Sequence, residues 1–188
     1  TRAREIRDAF RARDPHARIL YATKAYFSPY VARLFQAEGL GLYVTSEAEL
    51  EIARRADFPR DQIYLHGNNK TPAEIRAAFA MGVDHIIVDN LDEIELLARV
   101  ATEMRATPRV LLRLAPNISA KRSRKVMNKS FAPKERDRLS PHTHKYLATG
   151  VAESKFGLPI STGDALKAAR LVTRHSSHLT LTGLHVHI

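Results

Sequence analysis

The chain is 188 residues long, 44% hydrophobic and 27% charged, the size and composition of one globular domain. It has no cysteine, which excludes disulfides and thiolate metal sites and fits a reducing, cytoplasmic location. No apolar run reaches the roughly 18–20 residues of a membrane span, and the amino end has no apolar signal core. Of the net charge of +10, the stretch Ala120 to Leu139 supplies +6, from eight Lys and Arg against Glu135 and Asp137. Phe131 is its one aromatic, so it has little on which to stack bases and reads as a solvated basic insertion at about 119–139, not a nucleic-acid surface.

Strand and helix signals alternate along the chain. Arg18 to Ala22 is short and mostly apolar, a buried strand that ends just before Lys24; Ser28-Pro29 then opens a helix from Tyr30 to Glu38. Gly41 to Thr45 is the second strand, and Ser46-Glu47-Ala48-Glu49 reads as a capping box ahead of Leu50, Ile52 and Ala53. Gln62 to His66 is the third, followed by Thr71-Pro72-Ala73-Glu74, with proline at the first helical position and Ile75, Ala78 and Phe79 on one face. His85 to Asp89 precedes a helix from Asp92 to Arg105. Arg109 to Leu114 is the fifth strand, Gly163 to His175 a further helix, and Leu179 to Ile188 the sixth strand. The chain stops inside that last apolar run, as a fragment of a longer protein would.

The first five strand centres recur about every 21 to 25 residues, one βα unit each, and no G-x-G-x-x-G follows any strand. The expected fold is therefore α/β, a (β/α)8 TIM-type barrel incomplete in this chain, with about six βα units. Barrel active sites gather at the carboxyl ends of the strands, and several ionisable groups fall there: Lys24, His66, Arg113, His185 and His187. A lysine in that position can form a Schiff base with an aldehyde cofactor such as pyridoxal phosphate, although a lone lysine solvates a loop just as well. A strand-borne arginine such as Arg113 needs an anion, for instance a carboxylate on a helix. His185 and His187 share one face of their strand; two histidines without a third ligand make a poor metal site, so no metal is expected.

In order along the chain stand Tyr21-Ala22-Thr23-Lys24-Ala25, Gly39-Leu40-Gly41, Ser46 with Glu49-Leu50, His66-Gly67-Asn68-Asn69-Lys70, Ile87-Val88-Asp89, and Leu112-Arg113-Leu114 with Pro116. After them come His142-Thr143-His144-Lys145-Tyr146 with Thr149-Gly150, Ser154-Lys155-Phe156-Gly157, and Gly183-Leu184-His185-Val186-His187-Ile188. This ordered set, spanning nearly the whole chain, resembles the amino-terminal barrel of diaminopimelate decarboxylases, in the alanine-racemase-like class of pyridoxal-phosphate enzymes. The resemblance implies pyridoxal 5′-phosphate as cofactor and decarboxylation of meso-diaminopimelate to L-lysine as the reaction. Lys24 would form the Schiff base, His187 would stack on the cofactor ring, and Arg113 and Glu49 would belong to the polar network around it. It also implies a homodimer with active sites at the interface, to which Ser154 to Gly157 would contribute. The alternatives are decarboxylation of another basic amino acid, or a barrel of this class that does not decarboxylate, such as a racemase or a cofactor carrier.

Two departures stand out. Tyr43 occupies a position where the family usually has an acidic residue, and Pro116 and Pro141-His142 lie about twenty residues farther apart than the pattern requires. The glycine-rich phosphate site, the acidic partner of the pyridine nitrogen and a carboxy-terminal β domain would all follow Ile188, so the fragment alone is expected to be inactive.

Overall fold

The structure, a computed structural model, describes residues 1–116 and 156–187. The basic insertion, the His142-Thr143-His144-Lys145-Tyr146 piece, Ser154, Lys155 and Ile188 lie outside the described residues. Among the described residues, no helix is long and apolar enough to cross a membrane.

The strands are β1 (Leu20–Ala22), β2 (Gly41–Val44), β3 (Ile63–Leu65), β4 (His85–Val88), β5 (Arg109–Ala115), β6 (Leu158–Pro159) and β7 (Thr180–Val186). The helices are α1 (Arg2–Arg11), α2 (Pro29–Ala37), α3 (Glu47–Arg55), α4 (Pro72–Ala80), α5 (Leu91–Met104) and α6 (Asp164–Arg174). Every strand pair is parallel, β1 to β5 lie side by side in chain order, and both β6 and β7 pair with β5. The expected strands and their intervening helices are present, most strands a residue or two shorter than the sequence suggests. Two elements escape the sequence reading. Helix α1 has no buried residue and is held by Arg4, paired with Glu38 at 2.9 Å, and by Arg7, which donates to the Glu38 carbonyl. Strand β6 is two residues long, too short for any periodicity to show.

The period-two alternation of the strands divides the sheet into two chemical faces. Leu42, Val44, Ile63, Leu65, Ile86, Val88, Val110 and Leu112 share one face and form the core with helix residues such as Leu50, Ile75, Ala78, Ile94, Leu97 and Val172. The opposite face carries Tyr43, Tyr64, His85, Ile87, Leu111 and Arg113. Apolar residues that face helices, with larger and polar ones on the other side, make the layering of a (β/α) barrel wall. A register shift between Val110 and Leu111 decides which face β7 presents: Leu181 lies opposite Val110, but Gly183, not Thr182, lies opposite Leu111. This one-residue irregularity places His185 beside Arg113 on the interior face and turns Leu184 and Val186 outward. Without it, each would point the opposite way.

Three consecutive helices start with the same device. In α4, Thr71 and Glu74 form a reciprocal capping box, as the sequence predicts. In α3, Ser46 caps the Glu49 amide, but the Glu49 carboxylate passes over Ser46 and accepts from the Thr45 amide at 2.6 Å. The expected box at Ser46–Glu49 is therefore displaced by one residue, because the same oxygen is also drawn to the hydroxyls of Thr23 and Thr45. Helix α5 repeats the displaced form: Asn90 caps the Glu93 amide, and the Glu93 carboxylate accepts from the Asp89 amide at 3.0 Å.

Glu93 also meets Lys70 in an ion pair whose side chains are 4% and 2% exposed. The Lys70 amine donates further to the carbonyls of Gly67 and Ile87, so the turn after β3 is pinned to β4 and to the start of α5. Burial lowers the lysine pKa and raises that of the glutamate, while each partner's charge works back against that cost. Removing one partner strands a charge in the interior. In the full-length protein, Glu93→Ala is expected to destabilise by about 3–5 kcal/mol in urea unfolding. The double change Lys70→Met with Glu93→Leu should cost less than Glu93→Ala alone. A larger loss in the double variant would show that the pair contributes more than mutual neutralisation.

Candidate functional site

At the carboxyl ends of the strands, the interior face becomes a polar layer. Five elements contribute one side chain each: Tyr43 from β2, His66 after β3, Asp89 after β4, Arg113 from β5 and His185 from β7. The Arg113 guanidinium donates to Asp89 at 2.6 Å, with both side chains buried. The anion that Arg113 needs thus comes from a strand end, not from a helix, which corrects the sequence expectation. The Phe156 ring lies 5.2 Å from the guanidinium. Gly157, at φ +78°, runs so close to Arg113 that an added Cβ would sit 3.2 Å from its carbonyl oxygen. Phe156 and Gly157, which the resemblance assigns to a dimer interface, therefore pack on Arg113 within the chain.

Beside this ion pair stand three rings. Tyr43 stacks on His66 with centroids 4.7 Å apart and lies 5.9 Å from His185, and the two imidazoles are 5.4 Å apart. The Tyr43 hydroxyl and His185 Nε2 share a hydrogen bond of 2.9 Å. Burial first, and then the nearby positive charge of Arg113, lower the pKa of His66 to about 3 and that of His185 to about 4. Both are neutral imidazoles at physiological pH. Burial likewise raises the pKa of the Tyr43 phenol, which stays protonated. The Nδ1 atoms of His66 and His185 are buried and have no hydrogen-bond partner among the described residues.

Lys24 and His187 lie farther out. Lys24 is exposed, on a single 3₁₀ turn over Thr23–Ala25 directly after β1, so its amine is reachable and not enclosed as a dry pocket would have it. The turn is anchored through Thr23, 2% exposed, whose hydroxyl bridges the Tyr43 carbonyl (2.9 Å) and the Glu49 carboxylate (2.7 Å). Glu49 accordingly acts here as the brace that joins the Lys24 turn to the start of α3. His187 is half-buried at the end of β7, and its pKa is lowered by burial, then by the charges of Arg113 and Lys24. Lys24 lies in the turn directly after β1, Arg113 lies in β5 and His187 directly follows β7, so all three stand toward the carboxyl edge of the parallel sheet. The sequence singles out Lys24, His187 and Arg113 as candidates; it does not show Asp89 as the partner of Arg113, nor the Lys70–Glu93 pair. An aspartate closing one strand and an arginine interrupting the next was the available signal.

A parallel βα sheet with an exposed lysine and buried imidazoles at its carboxyl edge is the layout of a (β/α) barrel wall with ionisable groups at its mouth. Residues 1–132 match the family described as "Pyridoxal-dependent decarboxylase, pyridoxal binding domain", and the chain belongs to that family. It is 38% identical over its whole length to the diaminopimelate decarboxylase of Mycobacterium tuberculosis, of which it covers 36%, and 36% identical over 187 residues to that of Bacillus subtilis, of which it covers 38%. Among solved structures, the diaminopimelate decarboxylase of M. jannaschii in complex with L-lysine superposes on the whole chain with a TM-score of 0.76 at 27% identity, the match covering 38% of that chain. The chain thus spans a little over a third of the length of these relatives, and its fold is part of their barrel.

The neutral histidines set a pH dependence. A folded-state pKa below the unfolded value of about 6.5 means that the unfolded chain binds protons more readily, so stability is full above that pH and falls as pH drops toward the folded values of about 3 and about 4. The expected slope approaches about 1.4 kcal/mol per pH unit for each histidine. His66→Gln should flatten the stability profile of the full-length protein between pH 6.5 and 4, measured by denaturant unfolding at each pH. An unchanged slope would place the acid sensitivity elsewhere.

Proposed function

We propose that this chain is the cofactor-binding barrel portion of an enzyme that decarboxylates meso-diaminopimelate to L-lysine with pyridoxal 5′-phosphate. The observation that carries this reading is the family membership of the chain, together with Lys24, Arg113 and His187 at the carboxyl ends of three different strands. The relatives' names support the substrate, as does L-lysine in the M. jannaschii complex.

The residues fit such a cofactor. Lys24 offers a primary amine to the aldehyde. His187 offers a ring face beside it. The unpartnered Nδ1 atoms of His66 and His185 are polar groups in the layer beneath. When bound, pyridoxal phosphate supplies a conjugated ring that accepts the electrons left by departing CO₂. The chain's part is orientation and electrostatics. His187 would offer its ring face to the cofactor ring and so orient it for the bond to be broken. Arg113, already matched by Asp89, adds a fixed positive charge that keeps the imidazoles neutral without adding net charge to the floor of the site. Glu49 and Thr23 hold the Lys24 turn still. A homodimer with active sites at its interface, in the cytoplasm, is part of the same reading.

In the full-length protein, borohydride treatment with pyridoxal phosphate should fix the pyridoxyl group on the peptide that contains Lys24, and Lys24→Ala should abolish both labelling and lysine formation. The buried Lys70 should stay unlabelled. Label on any other lysine would displace Lys24 from its role. His187→Ala is expected to keep the fold and to lower kcat at least about tenfold, in the range lost when a positioning group is removed. Full turnover with unaltered cofactor affinity would remove the stacking role. Turnover of ornithine or arginine in preference to diaminopimelate would overturn the substrate assignment alone.

A further inference from the structure

Tyr43 occupies a singular place in the site. Its main chain and its side chain hold two different parts of the machinery. The Tyr43 carbonyl accepts from Thr23, the residue just before Lys24, and the Tyr43 hydroxyl bonds His185, two residues before His187 on the same face of β7. Strands β2 and β7 are not neighbours in the sheet: β2 pairs with β1 and β3, and β7 pairs with β5. The hydrogen bond therefore runs across the barrel interior and ties β7 to the opposite wall, from a position 142 residues earlier in the chain.

Counting protons fixes the direction of that bond. A neutral imidazole carries one N–H and a phenol one O–H, and one hydrogen lies between the Tyr43 oxygen and His185 Nε2. If Nε2 donated, the phenol hydrogen would need another acceptor, of which none is present among the described residues, and the Nδ1 lone pair would also be unmatched. If the phenol donates, the phenol is satisfied and Nδ1–H is the one group without a partner. Each buried unpaired polar group is costly, so the arrangement with one is preferred to that with two.

We propose that Tyr43 is a positioning residue: it donates to His185 Nε2, holds His185 as the neutral Nδ1–H tautomer, and thereby fixes the end of β7 that carries His187 against the turn that carries Lys24. This deepens the proposed function, and rests on it for the identity of what binds in the mouth. The stacking of Tyr43 on His66 leaves the phenol little freedom to turn away, so the tie is rigid.

The test is ¹⁵N NMR of imidazole-labelled full-length protein, with and without pyridoxal phosphate, comparing wild type with Tyr43→Phe. The phenylalanine keeps the ring stack and removes a single oxygen. Wild type without cofactor should show His185 with a protonated-type Nδ1 and an unprotonated-type Nε2, and Tyr43→Phe should mix the tautomers. The variant should also bind pyridoxal phosphate about 2–10-fold more weakly, the worth of one hydrogen bond. The visible circular dichroism of the bound cofactor should change, and kcat should fall more than KM rises. An Nε2–H tautomer in wild type, or an unaltered tautomer in the variant, overturns the proposal. So does a tautomer change with unaltered cofactor affinity and dichroism, which would confine Tyr43 to the fold. Because the wild-type spectrum needs no variant, poor folding of Tyr43→Phe leaves the test intact. Wild-type protein that shows the expected tautomer yet binds no pyridoxal phosphate would refute the functional reading and leave the Tyr43–His185 tie standing.

Discussion

A buried guanidinium must have its counter-ion, and much of the site's chemistry follows from how Arg113 obtains one. Asp89 neutralises it at 2.6 Å inside the sheet. An ion pair has no net charge but still has a positive end, and three imidazoles lie within its influence. Burial first, and then this positive end, lower the pKa of each of them, because protonation would bring a second positive charge into a poorly solvated space. A neutral imidazole can present a ring face and a single directed N–H. Moving Asp89 away would therefore change more than one contact.

Around that pair, the alternation of the strands sorts the residues. One face of each strand holds the helices and the other holds the chemistry, so a single sheet acts as both scaffold and floor. The Lys70–Glu93 pair and the displaced helix caps extend this rigidity to the strand ends, where the backbone would otherwise be loose. Thr23, Tyr43, Glu49 and Thr45 form one connected set of hydrogen bonds, and Lys24 stands on it as an exposed group on a fixed base. An exposed amine on an immobile turn is reachable by a cofactor without being free to wander.

Most of this architecture was legible in the sequence, for identifiable reasons. Runs such as Val110-Leu111-Leu112 and His85-Ile86-Ile87-Val88 are apolar and short, and helix-start signals at Ser46 and Thr71 punctuate the chain. Lys24, Arg113 and His187 could be found because each is a polar residue at the end of an apolar run. The pairing of Arg113 with Asp89 could not, since it depends on which strands adjoin. That His185 and His187 share a face follows from alternation alone, but which face is settled by the extra residue near Thr182, a feature of pairing register and not of β7's own composition. Helix α1 is not part of the sequence reading although Ala3, Ile6 and Phe10 recur at helical spacing; that face stays unburied, and charge contacts hold the helix. Tyr43 registered in the sequence only as a departure from the family's acidic residue. The structure gives it a hydrogen bond in place of a charge, which leaves His185 neutral where a carboxylate would favour protonating it.

The displaced caps have one more consequence. The start of a helix is where a protein usually greets an anion, because its first amides point outward without partners. In α3, α4 and α5 the Ser46, Thr71 and Asn90 side chains take one of those amides, and Glu49, Glu74 and Glu93 each fold back onto the amide at or just before the cap, bringing a negative charge to the helix start. Three carboxylates in succession give this wall of the barrel a negative rim, so an anion finds a less favourable place here than a bare helix start would offer.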